Sequence, residues 1–209
     1  TGAVLPTSRL YYANLPYRNA DSRPDLFTIR RRAAGSPKTL VQIMTSDGGF
    51  AGRPYDRATI LAPVGSEFEF GMGDWNRDGA PDVFAIKKWH TGQKKTEVHV
   101  LDGATEYGRW LLQIPTALSE TGGEGTLKIS DWNRDGIPDL WYIKKFWTGT
   151  HRTEVHILDG ASNFQRFVDK ATANAENIRV RDFPGGGKVF QYDSPASNIS
   201  HSPVRCCSS

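Results

Sequence analysis

The sequence predicts an all-β fold built from repeated four-stranded units, on three observations. The stretch 131–161, "DWNRDGIPDLWYIKKFWTGTHRTEVHILDGA", repeats 74–104, "DWNRDGAPDVFAIKKWHTGQKKTEVHVLDGA", 57 residues further on, without a gap and with 21 of 31 positions identical. Gly (21) and Pro (12) are plentiful in the 209 residues, and helix-favouring runs of Ala, Leu, Glu and Lys are scarce. Between the turn signals lie short segments that alternate apolar and polar residues, the period-2 pattern of strands.

Each unit reads as four strands. The middle unit offers "EFEFGM" (67–72), "DVFAIKKW" (82–89), "TEVHVLD" (96–102) and "RWLLQIP" (109–115). The following unit gives "TLKIS" (126–130), "DLWYIKKF" (139–146), "TEVHILD" (153–159) and "FQRFVDK" (164–170). The same step backwards finds an older-looking copy: "RLYYANL" (9–15), "DLFTIRR" (25–31), "TLVQIMT" (39–45) and "RATILAPV" (57–64). Two further strands, "NIRVRDF" (177–183) and "KVFQYD" (188–193), begin a fourth, incomplete unit.

Four strands in a repeat of about 50 residues is the arithmetic of a β-propeller blade. The expectation is a single domain over 1–193, with blades at about 8–64, 66–118, 125–172 and 176–193 and a Ser-rich tail at 194–209. Open sheet edges have to be managed. The leading "GAVLPT" (2–7) supplies a closing strand in a four-bladed ring; the competing closure is two chains pairing into a larger ring.

Between the first and second strands lies D-x-N-x-D-G-x-P-D: Asp74, Asn76, Asp78, Gly79 and Asp82, then Asp131, Asn133, Asp135, Gly136 and Asp139. Oxygen side chains at positions 1, 3, 5 and 9 surround one point if the Gly at 6 makes a sharp turn, and the backbone carbonyl at 7 (Ala80, Ile137) joins them. Such an all-oxygen set suits Ca²⁺, which takes six to eight ligands. The loop is not an EF-hand, because Ala85 and Tyr142 stand where position 12 needs a bidentate Glu. The first copy keeps Asn19, Asp21 and Asp25, but Tyr17 replaces the first Asp and Ser22 the Gly, so a weak or empty third site is expected beside two Ca²⁺ sites.

This repeated acidic loop leading into a strand resembles the FG-GAP/VCBS-type propeller repeat of integrin α-subunits, fungal lectins and secreted bacterial and fungal proteins. The resemblance spans about 8–193 and is strongest over 66–170. It implies a Ca²⁺-bound propeller, usually of seven or eight blades, so closure in this shorter chain stays open. The segment "TEVHVLDGA" is also similar to repeats attached to secreted cell-wall hydrolases.

Glu97 and His99, with their copies Glu154 and His156, place a carboxylate and an imidazole on one strand face, with Asp102 and Asp159 three residues on. Such pairs serve acid–base or metal chemistry when they converge on one site. Spread over successive repeats, they read as duplicated packing. No nucleophile elbow, zinc-protease helix motif or P-loop is present, and the chain is not expected to be an enzyme, a hydrolase using these Glu and His residues being the third alternative.

Aromatic residues point instead to recognition. Trp75 and Trp132 occupy position 2 of the acid loops; Trp89, His90, Phe146 and Trp147 end the second strands beside Thr-Gly turns. An indole stacks on a pyranose face while polar neighbours take hydroxyls, so Trp75, Trp132, Trp89 and Trp147 are candidate glycan contacts. Packing between blades is the competing use of the same rings. The expected partner is a glycan or cell-wall polysaccharide, the alternative a protein bound in the integrin manner. Lys87–Lys88 and Lys144–Lys145 are candidate contacts for an anionic wall polymer.

The remaining composition narrows the partners. Net charge is +3 with acids and bases interspersed, and no basic run exceeds Arg30–Arg32, which disfavours nucleic acid. No apolar run is long enough for a membrane-spanning helix. The start at Thr1 suits a mature secreted product or a trimmed chain, and the sequon at Asn198 adds mild support for secretion. Cys206 and Cys207 are neighbours, restricted to a vicinal ring, a bond to another chain, or free thiols.

Overall fold

The computed structural model describes residues 8–16, 24–46, 49–50, 55–172, 178–182 and 188–192. The expected closing strand at 2–7, loop residues Asn19 and Asp21, Asn198, the tail and both cysteines lie outside them. Within them the chain is all-β, with one short 3-10 turn at Gly160–Ser162. No described helix is long and apolar enough to cross a membrane.

Three four-stranded antiparallel sheets follow one another in sequence. The first is β1 (Ser8–Pro16), β2 (Pro24–Arg30), β3 (Leu40–Met44) and β4 (Tyr55–Ala58); the second is β5 (Phe68–Gly73), β6 (Asp82–Lys87), β7 (Lys95–Leu101) and β8 (Trp110–Ser119). The third is β9 (Gly125–Ser130), β10 (Asp139–Lys144), β11 (Glu154–Leu158) and β12 (Phe167–Thr172). Spatial order equals chain order in each, and a final antiparallel pair, β13 (Ile178–Asp182) with β14 (Lys188–Tyr192), begins another unit. The register repeats as well: Gly73 faces Asp82 in the second sheet as Ser130 faces Asp139 in the third.

The sheets stack face to face. Phe27, Ile29, Val41 and Ile43 of the first pack on Phe68, Phe70, Val83, Ala85, Leu101 and Tyr107 of the second. The opposite face of the second, with Phe84, Ile86, Val98 and Val100, packs on Leu127, Ile129, Leu140, Tyr142, Leu158 and Phe164 of the third. One repeat step carries Phe27 to Phe84 to Trp141, and Ile29 to Ile86 to Ile143, so the same face points forward in every unit. β6 is therefore buried on both sides and reads as a continuous apolar run, whereas β7 alternates. The first strands of neighbouring sheets touch, β1 with β5 and β5 with β9. A Cβ on Gly71 would stand 2.7 Å from Ile129 Cγ1, so only Gly lets β5 and β9 approach this closely.

A buried ion pair straps the second sheet to the third. Glu69 Oε1 accepts from Lys88 Nζ at 3.1 Å, and its Oε2 accepts from the Leu127 amide at 2.8 Å. Both side chains are buried, and the Lys88 ammonium lies 4.5 Å from the centre of the Trp89 ring.

All three fourth strands differ from their expected bounds, β8 running on to Ser119 past its expected end at 115. β4 ends at Ala58 because the pairing turns irregular there: the Thr59 side chain and amide both bond Thr39 O, while the Thr39 amide reaches on to Leu61 O. β12 starts at Phe167 rather than 164: Phe164 lies at φ 60 in a turn, fully buried as an anchor in the place that Tyr107 fills one unit earlier.

Candidate metal centres

Both acid loops adopt one conformation. Positions 4 and 6 have left-handed φ in each: Arg77 at 61 and Gly79 at 84, Arg134 at 60 and Gly136 at 82. Gly adopts that region freely, and its place at position 6 makes the tight turn. The Asp74 carboxylate then accepts the amides of Asp78 (3.1 Å) and Gly79 (2.9 Å), and Asp78 accepts that of Ala80 (2.8 Å). In the third sheet Asp131 accepts from Gly136 (2.9 Å), and Asp135 from Ile137 (2.8 Å). The side-chain amides of Asn76 and Asn133 each donate to the position-5 carboxylate at 2.7 Å.

Position 9 has a different task. Asp82 is fully buried, and its two oxygens accept the amides of Trp75 (2.8 Å) and Gly103 (2.7 Å), pinning the loop to the turn after β7. Asp139 repeats this with Trp132 (2.8 Å) and Gly160 (2.7 Å). Asp25 keeps part of the clamp in the first sheet, accepting the Ser46 amide at 3.0 Å. Burial pushes the Asp82 carboxyl up to about 7, helped by the nearby charges of Asp78 and Asp102 and opposed by the two amides. Asp139 is also raised, first by burial, with Asp135 adding repulsion.

The turns after β7 and β11 complete this end. Asp102 and Asp159 are fully buried and bind Arg109 and Arg166 through both Nε and Nη2. Arg77 crosses between units to donate to Asp135 O, tying one acid loop to the next. A Cβ on Gly160 would lie 2.3 Å from Pro138 O. Gly160→Ala is therefore expected to push this turn off the Asp139 carboxylate and cost on the order of 2 kcal/mol, read as a lower denaturation midpoint. The unit with the degenerate loop is also the one with a side chain, Ser46, at the equivalent place.

Oxygen is the only donor type in these loops, as a hard cation requires. Among the described residues no group of three or more His, Cys, Asp or Glu is gathered as a metal would hold it. The loop carboxylates face the loop's own amides, and each such oxygen keeps a second lone pair for a cation. A hard cation there would take its oxygens from Asp74, Asn76, Asp78, Asp82 and the Ala80 carbonyl in one loop, and from Asp131, Asn133, Asp135, Asp139 and the Ile137 carbonyl in the other.

The four candidate tryptophans separate. Trp75 packs between sheets, 6.0 Å from Phe84 and 5.2 Å from Phe164. One face of Trp89 carries the Lys88 ammonium. Trp132 is half exposed and meets Trp141 edge-on at 5.0 Å, while Trp147 is 84% exposed. The Glu-x-His pairs do not converge on one site. His99 lies between Phe68 and Trp110 with Glu97 at 3.4 Å, and His156 between Tyr142 and Phe167 with Glu154 at 3.4 Å, in successive layers of the stack. Burial lowers the His99 pKa, which suits a packed neutral ring.

Sequence reasoning did not foresee the Glu69–Lys88 strap or the Asp–Arg clamps. The clamps left a signal in the seven-residue spacing shared by Asp102/Arg109 and Asp159/Arg166. The strap left none, because Thr126 replaces its Glu one unit later. No family model, curated protein or solved structure matches this chain.

Proposed function

We propose that this chain is a secreted β-propeller of the FG-GAP/VCBS type, clipped by two Ca²⁺ ions, that binds carbohydrate. The observation that carries the metal assignment is the identical curl of the two acid loops, each with Gly at a left-handed φ and each pinned by a buried Asp. The propeller reading draws on the stacking of successive sheets with the same face forward and their first strands in contact. A fourth unit starting at β13 closes the ring, within one chain or with a second. Bound Ca²⁺ supplies the positive charge that the crowded carboxylates of each loop lack.

Carbohydrate recognition draws on Trp132 and Trp147, whose rings stay open to solvent after packing has claimed Trp75 and covered one face of Trp89. The test is a glycan-array screen run with Ca²⁺ and again with EDTA. The expected result is a defined glycan set whose signal weakens in EDTA, as unclipped loops loosen the sheets that present the rings. A blank array under both conditions would overturn the carbohydrate reading in favour of a protein partner.

A further inference from the structure

The ends of the sheets opposite the acid loops carry another chemistry. The second strand of each sheet leaves the acid-loop end and finishes at basic residues: Arg30, then Lys87 and Lys144, with Lys88 and Lys145 just beyond. Because the sheets stack with one polarity, these strand ends gather on one side of the molecule. Backbone bonds knit that side together, Glu120 N to Lys94 O at 3.1 Å and Lys145 N to Glu124 O at 2.7 Å.

The acids on this side are engaged by protein groups, including Glu154, which stands opposite Lys144 in the ladder and bonds Thr150 and His156. Glu69 is buried against Lys88, Glu120 accepts the Thr91 amide and hydroxyl, and Glu124 accepts the Gly122 amide and the Tyr142 hydroxyl. Lys144 and Lys145 form no ion pair among the described residues, and both are partly exposed. The loop that follows them exposes Phe146 by 55% and Trp147 by 84%. Trp147 has φ 53, a region that L-residues avoid, and its equivalent His90 has φ 57. The backbone shape therefore belongs to the repeat, and the third unit uses it to hold an indole out in water.

We infer that this loop end of the third sheet binds an acidic polysaccharide, with Trp147 stacked on a sugar ring and Lys144 and Lys145 meeting sugar carboxylates. The inference rests on the carbohydrate reading above and adds the place of the site and the charge of its ligand. Charge complementarity selects the occupant: compact ammonium charges meet carboxylates spaced along a chain, and the apolar ring face meets the C–H face of a pyranose.

The test is calorimetric titration of the full chain with a long oligogalacturonate, with its carboxyl-reduced neutral form, and with vesicles containing an anionic phospholipid. Trp147→Ala and the double variant Lys144→Gln/Lys145→Gln are run beside the parent, each first shown to melt like it. The parent is expected to bind the acidic oligomer, with binding that weakens as salt is raised and is far weaker for the neutral form. Trp147→Ala should lose roughly tenfold in affinity. The double Lys variant should lose a similar amount and show a flatter salt dependence. No binding of the acidic oligomer, equal binding of the neutral form, stronger capture by the vesicles, or indifference to both variants would each overturn the assignment. A neutral glycan bound without regard to Trp147 would leave the carbohydrate reading standing while removing this site.

Discussion

Lys88→Met is expected to lower the unfolding free energy by about 3 kcal/mol, as breaking one half of a buried ion pair does. The Lys88 side chain is 9% exposed and that of Glu69 is 7%, so little solvent screening softens the loss. Removing the ammonium leaves the Glu69 carboxylate in the interface with, among the described residues, the Leu127 amide and the weaker Thr126 hydroxyl as donors. Adding Glu69→Gln should recover a good part of the loss, because Gln keeps an acceptor for the Leu127 amide and brings no charge. Urea denaturation midpoints check both steps. If the single variant unfolds at the parent's midpoint, the strap contributes nothing between these sheets.

Chelation should lower the melting temperature and change how stability follows pH. In metal-free protein Asp82 stands raised from its ordinary 3.8 to about 7, and Asp139 is raised too. A carboxyl raised on folding favours the folded state most when both states are protonated. Its contribution is complete below about pH 4 and disappears as pH rises through about 7. In EDTA the melting temperature should therefore fall between pH 5 and 7.5, after allowance for the acid losses of other groups. Bound Ca²⁺ holds these carboxylates ionised, so in excess calcium the fall should vanish or reverse. Equal slopes in the two conditions would contradict the coordination of Asp82 and Asp139.

Much of the architecture was legible because the chain writes it three times. The continuous apolar run of β6 and β10, the alternation of β7 and β11, and the Gly at the left-handed turn of each acid loop are local features that a period brings out. The misplaced start of β12 has a physical reason. Phe164 looks like a strand residue by type, yet the turn after β11 sends it inward as the counterpart of Tyr107, and no local pattern separates a buried turn anchor from a strand. Trp75 and Trp132 are equivalent in sequence and differ in fate. Phe164 of the next unit covers the first, whereas the second keeps nearly half its surface open, so its use depends on what lies forward of it and not on its own loop. The Glu69–Lys88 pair was hidden for a related reason: it acts between sheets and occurs once.

Isothermal titration of Ca²⁺ into chelator-treated protein decides whether the repeated acid loops are calcium clips. Two ions should bind per chain, and a single ion after Asp135→Ala, with the parent's melting temperature restored as the sites fill. No heat of binding, or a stoichiometry that Asp135→Ala and Asp78→Ala leave unchanged, would contradict it.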